Sequence, residues 1–413
     1  MIHRHIGTAV LALVASLATS VAAFAQDIKI GYAGALTGPA SFTGLDIKRG
    51  AELAIDEINA KGGVKGRKLV LVARDDEHNP VRTVGQYREL VERERVAVML
   101  GATNSASMLA VAPILNESLK VPVICPATDA TAITENEAAK AGQDNYVFRI
   151  GMYGTGQANF IVDTMVKKFG HTKVALLNWT GGWGVTGRTE LQRRLKENGL
   201  SPVADETFDS SDTDMTPQIL KIRAAGAESI VNYALVRENT LVAQTKQKLG
   251  DQTPYASAWG IAGPAFWKAA GNAAEGILSS TTITIDGPQS PERLALMAAY
   301  SKRYGQEMDA PTSVFGAYDS VYLFSLVMER DGTDPKAIRA GLENVPAFKG
   351  LIKDFKRPVF TKERHNAITE ADMIMTRWTN GKMLEIKYDD KGPYVDIDEK
   401  VRKYLDKKSM ALM

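Results

Sequence analysis

From Ile28 onward, short apolar runs alternate with longer segments whose apolar residues recur every three or four positions. Residues 28–32 read as a strand. Residues 44–59 follow as a helix, with Ile47, Ala51, Ala54, Ile55 and Ile58 on one face and Lys61-Gly62-Gly63 as its stop. Strands are expected over 69–73, 96–100 and 121–125, with helices between them over 81–94 and 105–117. A helix between two strands returns the chain to the same edge, so such strands pair in parallel. The alternation restarts after a short extended piece at 147–150. Helices over 155–169, 186–198, 217–225 and 238–249 then alternate with strands over 173–177, 202–207, 229–233 and 254–258. A strand over 276–284, helices over 291–306, 312–330 and 335–344, short strands over 352–388 and a helix near 397–407 complete the expectation. The fold class is α/β, with two doubly wound parallel-sheet lobes, and 413 residues suit two cores. Open parallel sheets take ligands beyond the carboxyl ends of their strands. The loops after Tyr32, Leu100, Cys125, Leu177, Tyr233 and Ala258 are therefore the places where a site is expected.

The first 25 residues break the pattern. Arg4 lies between two histidines, residues 6–21 are apolar and small, and Ala23-Phe24-Ala25 offers a small-residue cleavage site. This is the layout of a secretory signal peptide over 1–25, too short to span a bilayer, and it points to the periplasm. No other run is long and apolar enough for a span. Without Arg4 the chain has 49 basic and 48 acidic residues, which gives no electrostatic case for nucleic acid. The lone Cys125 follows Val121-Pro122-Val123-Ile124 and reads as a buried thiol at a strand end.

Catalytic signals are weak. His78, His171 and His365 are scattered and match no metal spacing, and no G-x-S-x-G elbow occurs. Asp75-Asp76-Glu77 reads as a solvated acidic loop. Gly182-Trp183-Gly184-Val185-Thr186-Gly187 is a literal G-x-G-x-x-G, with Asp205 downstream where a dinucleotide site would want an acid. Asn178-Trp179-Thr180 intervenes before the glycines, and a tryptophan stands where backbone should approach pyrophosphate. A secreted NAD-dependent enzyme is thus the alternative of another class and is disfavoured. No enzyme activity, cofactor or metal is expected.

Several stretches carry a resemblance: Leu36-Thr37-Gly38-Pro39, residues 55–66 (IDEINAKGGVKG), Leu100-Gly101-Ala102-Thr103-Asn104-Ser105, Pro126-Ala127-Thr128, Ala317-Tyr318-Asp319 and Glu363-Arg364-His365. In order and spacing the chain resembles the leucine/isoleucine/valine-binding family of type I periplasmic binding proteins, the substrate-binding subunits of ABC importers. The resemblance implies three hinge crossings, placed near 147–149, 276–284 and 349–358. Lobe one is then 27–147 plus 283–355, and lobe two 148–282 plus 356–413. It also implies a monomer that delivers its ligand to a membrane permease with a separate ATPase.

The resemblance further implies site residues. Ser105, with Thr103 and Asn104, lies where amino-acid binders hold the ligand carboxylate, and Ala127 where a backbone carbonyl accepts from the ligand. Thr128 follows it, and Asp129 stands where the family has a threonine. An ionised aspartate only accepts hydrogen bonds. It either turns away to cap a helix near Ala130, which is slightly favoured, or faces a ligand that presents a donor. Trp183 fits the aromatic position of lobe two. Trp259 stands where amino-acid binders carry the acid that pairs with the ammonium. With Phe42 or Tyr153 at the rim, the two tryptophans suit a flat ligand. The expected order is an aromatic or other organic acid first, a hydrophobic amino acid second, and an amide or urea-like solute third.

Overall fold

The computed structural model describes residues 26–386, Pro39 excepted. The expected leader at 1–25 and the helix near 397–407 lie outside these residues.

Lobe one opens with β1 (Ile28–Gly34), α1 (Ser41–Ala60), β2 (Leu69–Asp75), α2 (Pro80–Arg88), β3 (Val98–Leu100), α3 (Ser105–Ile114), β4 (Val123–Cys125), α4 (Glu137–Lys140) and β5 (Val147–Arg149). Its five strands pair in parallel in the order β2-β1-β3-β4-β5. The apolar face read from the sequence of α1 is the buried one: Ile47, Ala51, Ala54, Ile55 and Ile58.

Lobe two follows with α5 (Gly154–Asp163), β6 (Val174–Trp179), α6 (Gly182–Glu197), β7 (Asp205–Phe208), α7 (Thr216–Ala224), β8 (Ser229–Asn232), α8 (Val236–Lys248), β9 (Tyr255–Ser257), α9 (Pro264–Ala270) and β10 (Leu278–Thr281). The chain then returns to lobe one as α10 (Pro291–Tyr304), α11 (Pro311–Asp331), α12 (Pro335–Leu342) and the hairpin β11 (Phe348–Lys349) with β12 (Asp354–Phe355). β13 (Ile374–Thr379) and β14 (Lys382–Glu385) end the described chain. They extend the second sheet to β14-β13-β10-β9-β8-β6-β7, in which the β10–β13 and β13–β14 pairings are antiparallel and the rest parallel. α11 crosses α1 at close range because Gly50 has no side chain. A β carbon there would lie 2.3 Å from the Val314 carbonyl oxygen.

The chain passes between lobes after β5, after β10 and before β13. The third passage lies later than the 349–358 expected. Val359, Phe360, Ala367 and Ile368 all pack in the lobe-one core, and Asn366 bridges Arg149 beside β5. The short strands expected here do not form between 356 and 368, where only the isolated bridges of Asn366 to Arg149 and of Thr361 to Arg364 occur, and packing places the segment in lobe one rather than lobe two. Among the described residues, no helix is long and apolar enough to cross a membrane.

Asp319 of α11 ties the late hairpin down. Its fully buried carboxylate accepts from the Leu351 and Ile352 N–H groups, each at 2.8 Å. Burial pushes its pKa up to about 7, although both N–H groups and the Arg293 charge favour ionisation. A folded pKa above the unfolded value means the folded chain holds the proton more tightly. This contribution to stability is therefore full below about pH 4 and is lost as pH rises through 7. It amounts to at most about 4 kcal/mol. Urea unfolding of Asp319→Asn from pH 4 to 8 should show a flatter fall in stability than the wild type; parallel curves would remove Asp319 as the cause.

Candidate functional site

β4 ends at Cys125, whose thiol burial pushes up to about 11. The chain then turns through Pro126–Ala130, and this loop is clamped from two sides. On one side is Ser105, the first residue of α3. Its hydroxyl accepts from the Asp129 N–H (3.3 Å) and the Ala130 N–H (3.2 Å), and donates to Asp129 Oδ1 (3.3 Å). On the other side is Arg149, the last residue of β5 and fully buried. Its guanidinium donates to the carbonyls of Asp129 (3.0 Å) and Ala130 (2.6 Å). Ser105 does not cap its helix. Asn104 does, accepting from the Ser107 N–H at 2.8 Å.

Lobe two closes on the same loop. The Trp183 indole N–H donates to Asp129 Oδ2 at 2.5 Å, and the Gln157 amide donates to the same oxygen at 3.3 Å. Asp129 is 4% exposed. Burial lifts its pKa above the usual carboxylate range, while the Trp183 N–H, the Arg149 charge, the Trp259 indole and the Ser105 hydroxyl pull it back. Three accepted hydrogen bonds favour the ionised form. Burial in turn lowers the pKa of Arg149, and the Asp129 charge offsets part of that.

The aromatic wall belongs to lobe two. Trp183 is the second residue of α6, Tyr233 follows β8, and Trp259 opens a 3-10 turn (Trp259–Ile261) directly after β9. The Trp183 ring meets Tyr233 edge-on at 5.4 Å and Trp259 edge-on at 6.3 Å. Two glycines make room. A β carbon on Gly187 would strike the Tyr233 ring at 2.1 Å, and one on Gly260 would lie 3.0 Å from the Trp183 ring and 2.7 Å from the Ala234 carbonyl oxygen. The Tyr233 hydroxyl donates to the Gly154 carbonyl at 3.0 Å. Trp259 packs against the cores of both lobes, and its buried indole N–H lies near enough to Asp129 to favour the ionised acid but falls short of hydrogen-bond geometry with it or any other acceptor.

Ser105, Asp129, Trp183 and Trp259 thus come together where the two sheets' carboxyl ends face each other. The other expected residues are placed differently. Ala127 packs in the lobe-one core and Thr128 lies beside Cys125. The Thr103 hydroxyl accepts from the Ala35 N–H at 2.9 Å and braces the loop after β1. Tyr153 turns toward the third passage, with its hydroxyl 3.5 Å from Glu370 Oε1. Phe42 is 40% exposed on the first turn of α1. The slightly favoured capping role of Asp129 is overturned: the 3-10 turn Thr131–Ile133 has no side-chain cap, because the Asp129 carboxylate is taken by Ser105, Gln157 and Trp183. Arg149, Gln157 and Tyr233 escaped sequence reasoning. Of these only Tyr233 had a signal, as the last residue of an expected strand whose loop was to be inspected.

The sequence decoys have structural explanations. All three glycines of the G-x-G-x-x-G lie inside α6, where Gly184 packs on the Trp179 carbonyl and Gly187 on Tyr233. The acidic run is a loop brace rather than a solvated patch. Asp75 accepts from the Leu36 N–H and Thr37 hydroxyl, and the buried Asp76 from the His78 N–H and Thr83 hydroxyl. A cavity of about 340 Å³ opens elsewhere, between the second and third passages, lined in part by Thr282, Gln289, Arg293 and Asp372. Its Arg293 and Asp372 are already committed, to the Leu351 and Ile352 carbonyls and to Arg357.

The periplasmic binding protein family model matches residues 27–382. Leu/Ile/Val-binding protein homolog 7 of Brucella abortus (strain 2308) is 26% identical over 387 residues, covering 90% of this chain and 94% of that protein. Leu/Ile/Val-binding protein BraC3 of Rhizobium johnstonii is 26% identical, covering 90% and 97%. Among solved structures, a periplasmic binding protein type 1 from Bordetella pertussis Tohama I superposes with a TM-score of 0.75 at 25% identity, covering 88% of this chain and 100% of that one. The branched-chain amino acid transporter substrate binding protein LivJ of Streptococcus pneumoniae, in complex with isoleucine, gives 0.74 at 24% identity, covering 86% and 97%. Two facing parallel-sheet lobes, three passages between them and a match over nearly the whole described chain lead to one conclusion: this chain belongs to the type I periplasmic binding proteins of the Leu/Ile/Val-binding family, the substrate-binding proteins of ABC transporters, and not to an enzyme family.

Proposed function

We propose that this chain is the periplasmic ligand-capturing subunit of an ABC importer, and that its cleft takes a small, flat solute presenting an N–H donor to Asp129. The observation that carries the reading is the buried Asp129 carboxylate, facing Trp183 from the opposite lobe. A ligand carboxylate at Ser105 would meet that acid, and the Ser105 hydroxyl is already engaged by Asp129 and Ala130. The order expected from sequence therefore changes, and amide or urea-like solutes move ahead of organic acids. An amide has both a donor for Asp129 and an acceptor for the spare Trp259 N–H. The rings of Trp183 and Trp259 suit a flat or aromatic body.

A hydrophobic amino acid is the second reading, favoured by the same spare donor. Its ammonium would pair with Asp129 and its carboxylate would take the Trp259 N–H. In either case the lobes close about the three passages by hinge bending. The loaded monomer, sent to the periplasm by the expected leader, then docks on a permease driven by a separate ATPase. No covalent step is involved.

Thermal-shift measurements on the chain without residues 1–25 test the ligand class, because a molecule that binds the folded state raises its melting temperature. Benzamide should stabilise, and benzoate should not. Stabilisation by isoleucine alone would select the amino-acid reading, and stabilisation by benzoate would overturn the role given to Asp129. Trp259→Phe keeps a ring but loses the donor. It should weaken benzamide binding about tenfold, the worth of one hydrogen bond. Ser105→Ala leaves the Asp129 and Ala130 N–H groups without their acceptor. It should weaken binding by a similar factor in titration calorimetry while unfolding stays cooperative; unchanged affinity would remove Ser105 from the site.

A further inference from the structure

We infer that Gln157 is a positioning residue: a single buried amide that aims the lobe-one acid Asp129 and the lobe-two turn carrying Trp259 at the same ligand. The inference rests on the cleft proposed above.

Gln157 lies on α5 and is fully buried. Its Nε2 donates to Asp129 Oδ2 at 3.3 Å. Its Oε1 accepts from the Trp259 backbone N–H at 3.2 Å and from the Ser280 hydroxyl of β10 at 3.4 Å. A glutamine amide supplies a donor on one side and an acceptor on the other without depending on a proton that titrates. Its orientation follows from its partners. Flipped, the amide oxygen would face the carboxylate and the NH2 would face the Trp259 N–H, so both contacts would become repulsive.

α5 stands at the hinge. It starts directly after the first passage between lobes, and its first N–H, from Gly154, donates to the Asp129 carbonyl at 2.6 Å. The Gly154 carbonyl accepts from Tyr233. The first turn of α5 is thus the piece of lobe two that stays on the lobe-one loop at the hinge. The separation between the Asp129 acceptor and the Trp259 donor is set through this turn as well as by lobe closure. The charged and titratable groups facing Asp129 are the Arg149 guanidinium beneath it and the Tyr233 phenol, with Ser105, Trp183 and Trp259 as neutral partners.

The test needs no ligand. Protonating Asp129 weakens the charge-assisted bond from Trp183, so intrinsic tryptophan emission followed from pH 8 to pH 3.5 should report it. The chain without residues 1–25 should show an acid transition that Asp129→Asn lacks. Gln157→Leu removes a donor that favours the ionised carboxylate, so its midpoint should rise by about half a pH unit. Gln157→Glu puts a second carboxyl against the first, so its midpoint should rise further as the pair shares a proton. It also keeps an acceptor for Trp259 and Ser280. Its near-ultraviolet circular dichroism at pH 5 should therefore match the wild type, whereas that of Gln157→Leu should not. Cooperative urea unfolding checks that each variant folds, and either variant alone decides the midpoint. Midpoints unchanged from wild type would overturn the role of Gln157. A wild-type titration indistinguishable from that of Asp129→Asn would overturn the cleft itself, and the inference with it.

Discussion

A carboxylate removed from water must be met by donors or it will not stay ionised. Asp129 meets this demand at the junction of the two lobes, and much of the surrounding structure serves it. Ser105 and Gln157 supply a hydroxyl and an amide, and Trp183 supplies an indole N–H from the opposite sheet. Arg149 puts a buried positive charge under the same loop, where it holds two carbonyls and balances the acid. Either charge alone would be costly in so buried a place, and together they offset each other.

The two lobes contribute unlike chemistry. Lobe one offers a backbone loop, a hydroxyl and an acid, held by the ends of β4 and β5 and the start of α3. Lobe two offers rings. Trp183, Tyr233 and Trp259 each follow a strand of the same sheet, and Gly187 and Gly260 let the rings meet edge to face. Trp259 rests on both cores, so a movement of one lobe against the other changes its surroundings directly. In the proposed function such a cleft would couple capture to closure, because its polar half comes from one lobe and its apolar half from the other.

Much of the architecture was legible from the chain alone. The apolar stripe of α1, the two runs of alternating strands and helices, and the strand ends that carry the site all appear as local periods. Ser105, Trp183 and Trp259 were reached through strand ends and family resemblance. The third passage lies later than expected because residues 356–368 form isolated bridges rather than the expected strands of lobe two, and their lobe is settled only by the packing of Val359, Phe360, Ala367 and Ile368. The helix α9 was missed because seven residues give too short a window for a helical repeat.

Asp129 marks the boundary between the two kinds of information. Its position after a strand, its acidity and its inability to donate are properties of the residue and its neighbours in sequence, and these narrowed its behaviour to two outcomes. Excluding the helix cap required the partners. Gln157 and Trp183 lie 28 and 54 residues further along the chain. Secondary-structure periods arise from neighbours within one or two turns or strands, so the chain alone specifies them. The direction in which a buried polar side chain turns depends on which distant donors the folded sheets bring within about 3 Å, and that is a property of the assembled lobes.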